Sequence, residues 1–246
     1  MIQQERIELA GPDGTIDGIV YHDPDAGPRP GVIHLTDIVG MRPTTEEMAR
    51  RVAALGYTVL QPNAFYRTGQ PPLFSFRPDF TEERTLKRFA ELARPLTPEA
   101  VARDAGTYVE ALHARADVKR GKVAVVGYCF TGAIALRIAA ARPDDVAAAA
   151  SFHGGGLYTD APGSPHTVLP RVEAQLYFAH ADQDRSMTEP AIKQLEAALE
   201  AWGGEYESEI YPGAVHGWTV PGFPGYAEAP AERAFHKLEA LLASAL

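Results

Sequence analysis

The sequence predicts an α/β fold: a mostly parallel central sheet flanked by helices on both faces, with an antiparallel N-terminal hairpin at one edge. Three observations predict it. Short β-branched runs alternate with longer helical patterns along the whole chain. The runs Gly31 to Leu35, Val123 to Val126 and Ala174 to Ala179 are apolar without strict alternation, as strands covered on both faces are. At the N-terminus two short runs, RIEL and TIDGIVYH, are joined by GPDG, whose residues suit a tight hairpin turn.

After the hairpin the elements follow in order: strand GVIHLT, a helix over TTEEMARRVAALG, and strand YTVLQPN. His34 reads as a core histidine within its strand. The segment FYRTGQPPLFSFRPDF, residues 65 to 80, is too aromatic and too Pro-rich for a regular element. Long ordered loops are commonly functional, so it is expected to form an active-site wall, with an elaborate surface loop as the alternative. Two helical stretches lead to strand KVAVVGY and a helix over 130 to 142. Strand VAAAASFH, a Gly-rich loop, strand AQLYFAHAD, a helix over 188 to 202, strand YESEIYPGA and a final helix over 230 to 245 complete the chain. No repeat or low-complexity linker divides it, so one domain over 1 to 246 is expected.

A chain of 246 residues that is 46% hydrophobic has enough apolar surface to build a substantial core. A net charge of −9 with no basic stripe argues against a nucleic-acid partner, which needs clustered Lys and Arg. The start MIQQERIELA lacks the basic and apolar segments of a secretory signal, and no run approaches the ~18 apolar residues of a membrane span. A cytoplasmic protein with no membrane partner is expected. The one cysteine, Cys129, has no partner for an internal disulfide. His180, Asp182, Asp184 and His216 are ligand types, but their spacing matches no recognised metal motif, so no metal or cofactor is expected. Any chemistry at Cys129 is that of a single reactive thiol.

In open parallel sheets the reactive groups gather beyond the carboxyl ends of the strands. Cys129 follows KVAVVGY, Asp182 and Asp184 follow AQLYFAHA, and His216 follows YESEIYPGAV. Nucleophile, acid, histidine is the chain order of α/β-hydrolases, where a strained strand-turn-helix raises the nucleophile above the sheet. Gly127 lets the backbone crowd that turn, whereas Thr131 stands where the usual motif has glycine, with Gly132 one step later. A thiol at the start of the helix from Phe130 to Arg142 feels the helix's positive end, which favours thiolate. His216 alongside makes a thiolate-imidazolium pair, oriented by a carboxylate on the other ring nitrogen. Asp182 and Asp184 share the same parity along the strand exit, so from the residues alone either fits, the other being a helix cap or loop acceptor. The oxyanion formed by attack on a carbonyl needs backbone N–H donors, for which Phe130 and Ile38 are the candidates. FHGGGL, residues 152 to 157, looks like the HGGG oxyanion loop of lipases. It follows the nucleophile's helix, however, so it reads as close backbone packing or a pocket floor.

Through HLTDIVG, GYTVLQPNAFYR, KVAVVGYCFTGAIAL, HADQDRSM and YPGAVHGW the chain resembles the dienelactone hydrolase family along nearly all its length. The resemblance implies the α/β-hydrolase fold and a triad of Cys129, Asp184 and His216. Asp184 is taken over Asp182 because the family's acid is followed three residues later by an apolar residue, as Met187 follows Asp184. It also implies an acidic residue after the third strand that holds or activates the thiol, a place filled by Asp37 where relatives carry Glu. Family enzymes bind the dienelactone carboxylate with arginines. HGWTVPG offers none after the histidine, and Arg84 in TEERTLKRF corresponds only loosely to the other. The implied activity is cofactor-free hydrolysis of a small ester or lactone through an acyl-Cys129 thioester, by a monomer or homodimer. The loop over 65 to 80 would shape an apolar pocket with Tyr158 and Trp218. Alternatives are a broad carboxylesterase or thioesterase, and a noncatalytic thiol sensor on the same fold.

Overall fold

The structure, a computed structural model, describes residues Met1–Leu246. The chain divides into two compact units, Met1–Lys119 and Arg120–Leu246.

In the first unit β1 (Gln3–Gly11) and β2 (Gly14–His22) pair antiparallel, with Gly11 opposite Gly14. Pro12 and Asp13 are therefore the two turn residues, and Gly14 takes the φ of +140° that the return requires. β3 (Gly31–His34) and β4 (Thr58–Pro62) are parallel, and β2 lies antiparallel on β4, giving the order β1-β2-β4-β3. β3 and β4 are buried at every residue, which accounts for their non-alternating sequences. His34 is indeed a core residue, and burial pushes its imidazole down to about 4. α1 (Pro43–Ala54) lies between these two strands in the chain, followed by α2 (Glu83–Ala93) and α3 (Pro98–His113). Thr97 starts α3 by accepting the Ala100 N–H at 3.2 Å.

The segment over 65 to 80 holds no regular element but is tied down. Tyr66 donates to buried Asp104 at 3.0 Å, and the Arg67 guanidinium grips both oxygens of the same carboxylate at 2.6 and 2.8 Å. Phe74 packs edge-on against Phe76 and Phe89, each ring at 5.6 Å.

The second unit is wholly parallel: β5 (Val123–Tyr128), β6 (Val146–Phe152), β7 (Gln175–Gln183) and β8 (Tyr206–Val215), adjacent in that order. α4 (Phe130–Ala141) packs on β5 and β6, and its alanine-rich sequence reflects how little space separates them. A Cβ at Gly132 would lie 2.3 Å from Ser151 Oγ and 2.9 Å from Gly154 Cα. At Gly127 it would lie 2.2 Å from the Thr131 carbonyl oxygen. The close approach thus uses Gly132 rather than residue 131. Thr131 fits because its hydroxyl turns back on the strand end, accepting the Tyr128 N–H at 2.9 Å and donating to the Tyr128 carbonyl at 3.0 Å. α5 (Glu189–Trp202) stops at Gly203, whose φ of +72° is the left-handed stop that glycine permits, and α6 (Glu228–Ala245) ends the chain. No helix is long and apolar enough to cross a membrane.

Gly132→Ala is expected to destabilise the protein by about 1–3 kcal/mol through overpacking, read as a lower urea midpoint at unchanged m-value. Gly127→Ala meets backbone rather than a flexible side chain, so its loss should be larger, seen as little folded protein recovered.

Candidate active site

Four strands of the second unit end one residue before a side chain with chemistry: Cys129 after β5, His153 after β6, Asp184 after β7 and His216 after β8. Cys129 occupies the single residue between β5 and α4, at φ +56° and ψ −125°. A non-glycine residue there costs on the order of 1–3 kcal/mol, so its surroundings must hold it. They bind both of its backbone groups. The N–H is shared between the Phe152 carbonyl at 3.0 Å and His153 Nδ1 at 3.1 Å. The carbonyl accepts from Gly132 N–H at 3.1 Å and Gly155 N–H at 3.3 Å.

The half-buried Sγ of Cys129 lies 3.0 Å from His216 Nε2. His216 Nδ1 lies 2.6 Å from Asp184 Oδ2, and Asp184 Oδ1 accepts the Ser186 N–H at 2.8 Å and its hydroxyl at 2.6 Å. Asp182 is exposed and accepts the Gly213 N–H at 3.0 Å, so it braces β8 instead of reaching the imidazole. Of the two carboxylates, the structure brings Asp184 to His216.

Burial by itself would lower His216, but its bonds to Asp184 and Cys129 outweigh it and push the imidazole up to about 10. Burial likewise works to raise Asp184, yet the bonds from His216 and Ser186 hold it below the ordinary carboxylate value. Both partners, a carboxylate and a sulfur, thus favour the imidazolium form of the ring. An imidazolium donates from both nitrogens, so the geometry lines up acid, imidazole and thiol in one hydrogen-bonded row.

The family model of the dienelactone hydrolase family matches residues 16–246. The chain belongs to the dienelactone hydrolase family. Among its relatives, the carboxymethylenebutenolidase of Rhodococcus opacus is 29% identical over 214 residues, covering 83% of this chain and 78% of that protein. A provisionally named carboxymethylenebutenolidase of Escherichia coli K12 is 26% identical over 215 residues, 86% of this chain and 76% of that one. The solved structure of a proposed dienelactone hydrolase from Klebsiella pneumoniae superposes with a TM-score of 0.87 over 99% of both chains at 21% identity, which shows the shared α/β-hydrolase fold. The protein is a hydrolase of the dienelactone hydrolase type.

The remaining candidates in this dienelactone hydrolase family member have distinct surroundings. Phe130 is the first residue of α4, at the helix's positive end. Tyr158 is half-buried and stacks on His166 at 4.5 Å. Trp218 is fully buried, stacked on Tyr211 at 4.2 Å, so it underlies the site and has no surface to offer a substrate. In the first unit, the buried Asp37 carboxylate is bound in its own loop, receiving the Arg42 guanidinium at 2.7 and 2.6 Å and the Val39 N–H at 2.9 Å. Those bonds order the loop that carries Ile38. Arg84 is exposed, paired with Glu82 and lying over the Phe76 ring at 4.4 Å.

Ser186 has no role readable from the sequence, and His153 reads there only as part of FHGGGL, as close backbone packing or a pocket floor. Ser186 carried no signal beyond its nearness to Asp184. His153 did carry one, since it leaves its strand just as the other three residues leave theirs.

In NMR titration the His216 imidazole should lose its proton near pH 10, against about 6.5 for a free histidine. Asp184→Asn should move that midpoint down, while Asp182→Asn leaves it in place. Because the folded value is raised, the stabilisation from this group is complete below about pH 6.5 and is lost as pH rises through about 10. The thermal midpoint of the wild type should fall across that window more than that of His216→Ala.

Proposed function

We propose that Cys129, His216 and Asp184 form a catalytic triad that hydrolyses a small ester or lactone, of the kind the relatives' name carboxymethylenebutenolidase denotes, through a thioester on Cys129. The observation that carries the proposal is the 3.0 Å approach of Sγ to an imidazole whose other nitrogen lies 2.6 Å from a buried carboxylate, on a positive-φ turn at the start of a helix. A sulfur and an imidazole with only packing duties need neither the strained turn nor the carboxylate.

In this mechanism the thiolate adds to the carbonyl carbon, and the displaced electron pair settles on the carbonyl oxygen. The Phe130 N–H, at the positive end of α4, stabilises that oxyanion. Collapse expels the alkoxide, which takes its proton from His216 Nε2. In a lactone the alkoxide stays attached to the acyl group as a hydroxyl.

The thioester sulfur carries no charge. The support that Cys129 gives to the imidazolium disappears with it, so His216 remains neutral after giving up its proton. It then accepts a proton from water, the hydroxide adds to the thioester carbonyl, and collapse releases a carboxylic acid and regenerates the thiolate. The same imidazole thus acts first as acid and then as base. Thiolate is a strong nucleophile towards lactones and activated esters, whose leaving groups need little assistance.

A panel of a dienelactone, simple aryl esters and acyl thioesters, run on wild type and Cys129→Ala together, tests the proposal. The wild type should turn over the dienelactone and aryl esters, and kcat should fall by about 10³-fold or more in the variant. A mass shift equal to the acyl group should appear on Cys129 during turnover. Rapid turnover of thioesters alone would replace the lactone assignment with a thioesterase, and wild-type rates in Cys129→Ala would remove the triad.

A further inference from the structure

His153 is fully buried, sits one residue beyond β6 and holds φ at +40°, a conformation that non-glycine residues rarely adopt. Its own N–H anchors on the Ala179 carbonyl of β7 at 2.7 Å. Its side chain has two polar contacts. Nδ1 lies 3.1 Å from the Cys129 N–H, which can only donate, so Nδ1 is the acceptor and the ring proton is on Nε2. Nε2 in turn lies 2.7 Å from Thr219 Oγ1, to which it donates. Thr219 is three residues past His216, in the same loop. One imidazole therefore spans from the backbone of the cysteine turn to the loop that presents the histidine.

The ring also touches His216 directly, edge to face, with centroids 5.2 Å apart, and approaches Trp218 in the same manner at 6.3 Å. Burial first, and the neighbouring His216 charge second, hold His153 well below the usual imidazole value. It is neutral, which is the state its acceptor role requires. The glycines that follow extend the cradle: Gly155 donates to the Cys129 carbonyl at 3.3 Å, and Gly156 to the Ser186 carbonyl at 2.8 Å. Ser186 is the residue that binds Asp184.

We propose that His153 is a positioning residue: as a neutral imidazole protonated on Nε2, it locks the Cys129 turn to the His216 loop and so maintains the contact between sulfur and imidazole. The inference rests on the triad proposed above. His153 touches no reacting atom, and without it the strained turn keeps the Phe152 carbonyl as the acceptor for its N–H. What is lost is the tie between two loops whose side chains must meet at 3.0 Å.

Three variants and two readouts test it. His153→Ala removes both contacts, and Thr219→Val removes only the far one and leaves the cysteine turn intact. His153→Asn keeps an amide oxygen near the Nδ1 position, on a residue type that tolerates positive φ. Circular dichroism melts establish that each is folded. With an aryl ester, His153→Ala should lower kcat by about 10- to 100-fold with KM within about threefold, since only the reacting geometry is disturbed. Thr219→Val should lower kcat by about threefold to tenfold. His153→Asn should recover most of the His153→Ala loss. Iodoacetamide reports on the only cysteine, and its alkylation rate at pH 7 should fall in the same order, about tenfold for His153→Ala.

Folded His153→Ala and Thr219→Val with wild-type kcat and wild-type alkylation would overturn the proposal, as would a loss confined to KM. Should His153→Ala not fold, Thr219→Val alone decides between the same two outcomes. Wild-type turnover in Cys129→Ala is a separate result, which removes the triad itself.

Discussion

A sulfur can meet the imidazole here only because the backbone of Cys129 is held at φ +56°. That conformation is unfavourable for any residue with a side chain, and an isolated strand-to-helix junction would relax out of it. The surrounding second unit prevents this by binding every polar backbone group of the residue, two acceptors on its N–H and two donors on its carbonyl. Gly127 and Gly132 let β5, α4 and β6 close to the distances those bonds need. The strain is local, whereas the contacts that offset it come from β6, α4 and the loop after β6.

The same packing shifts two neighbouring histidines in opposite directions. His216 has a buried carboxylate on one nitrogen and a sulfur on the other, both of which favour the cation. His153, at 5.2 Å, has a peptide N–H on one nitrogen and a hydroxyl on the other, and neither stabilises charge. Burial disfavours charge in both. The partner therefore decides, and once His216 is charged the like-charge repulsion adds to the burial that keeps His153 neutral.

Much of the site was legible because strand exits can be located from hydrophobic runs and turn residues. Cys129 and His216 stand out on that ground alone. The two aspartates do not, because a parity argument assumes a regular strand. The pairing of β7 with β8 shifts register between Ala181 and Gln183, with the extra residues on β8, and there the Asp182 carboxylate meets the Gly213 N–H of β8. Trp218 follows the histidine closely in sequence, a position that suggests a pocket wall. Which way its ring turns depends on Tyr211, a strand residue on which it stacks. Asp37 shows the same limit, since its carboxylate is engaged by Arg42, five residues on, through loop geometry that spacing does not reveal.

By itself, the sequence determined the alternation of strands and helices, the antiparallel N-terminal hairpin and the order in which thiol, carboxylate and imidazole leave their strands. These are written in local patterns: hydrophobic period, turn chemistry and the glycines of the elbow. The family resemblance implied Asp184, and the tertiary structure brings that carboxylate to His216; only the tertiary structure decided that Gly132 rather than residue 131 carries the close approach, and that His153 joins the cysteine turn to the histidine loop. Each of those depends on atoms brought within about 3 Å from separate segments of chain, and such distances follow from the packing of neighbouring strands and helices rather than from any local propensity.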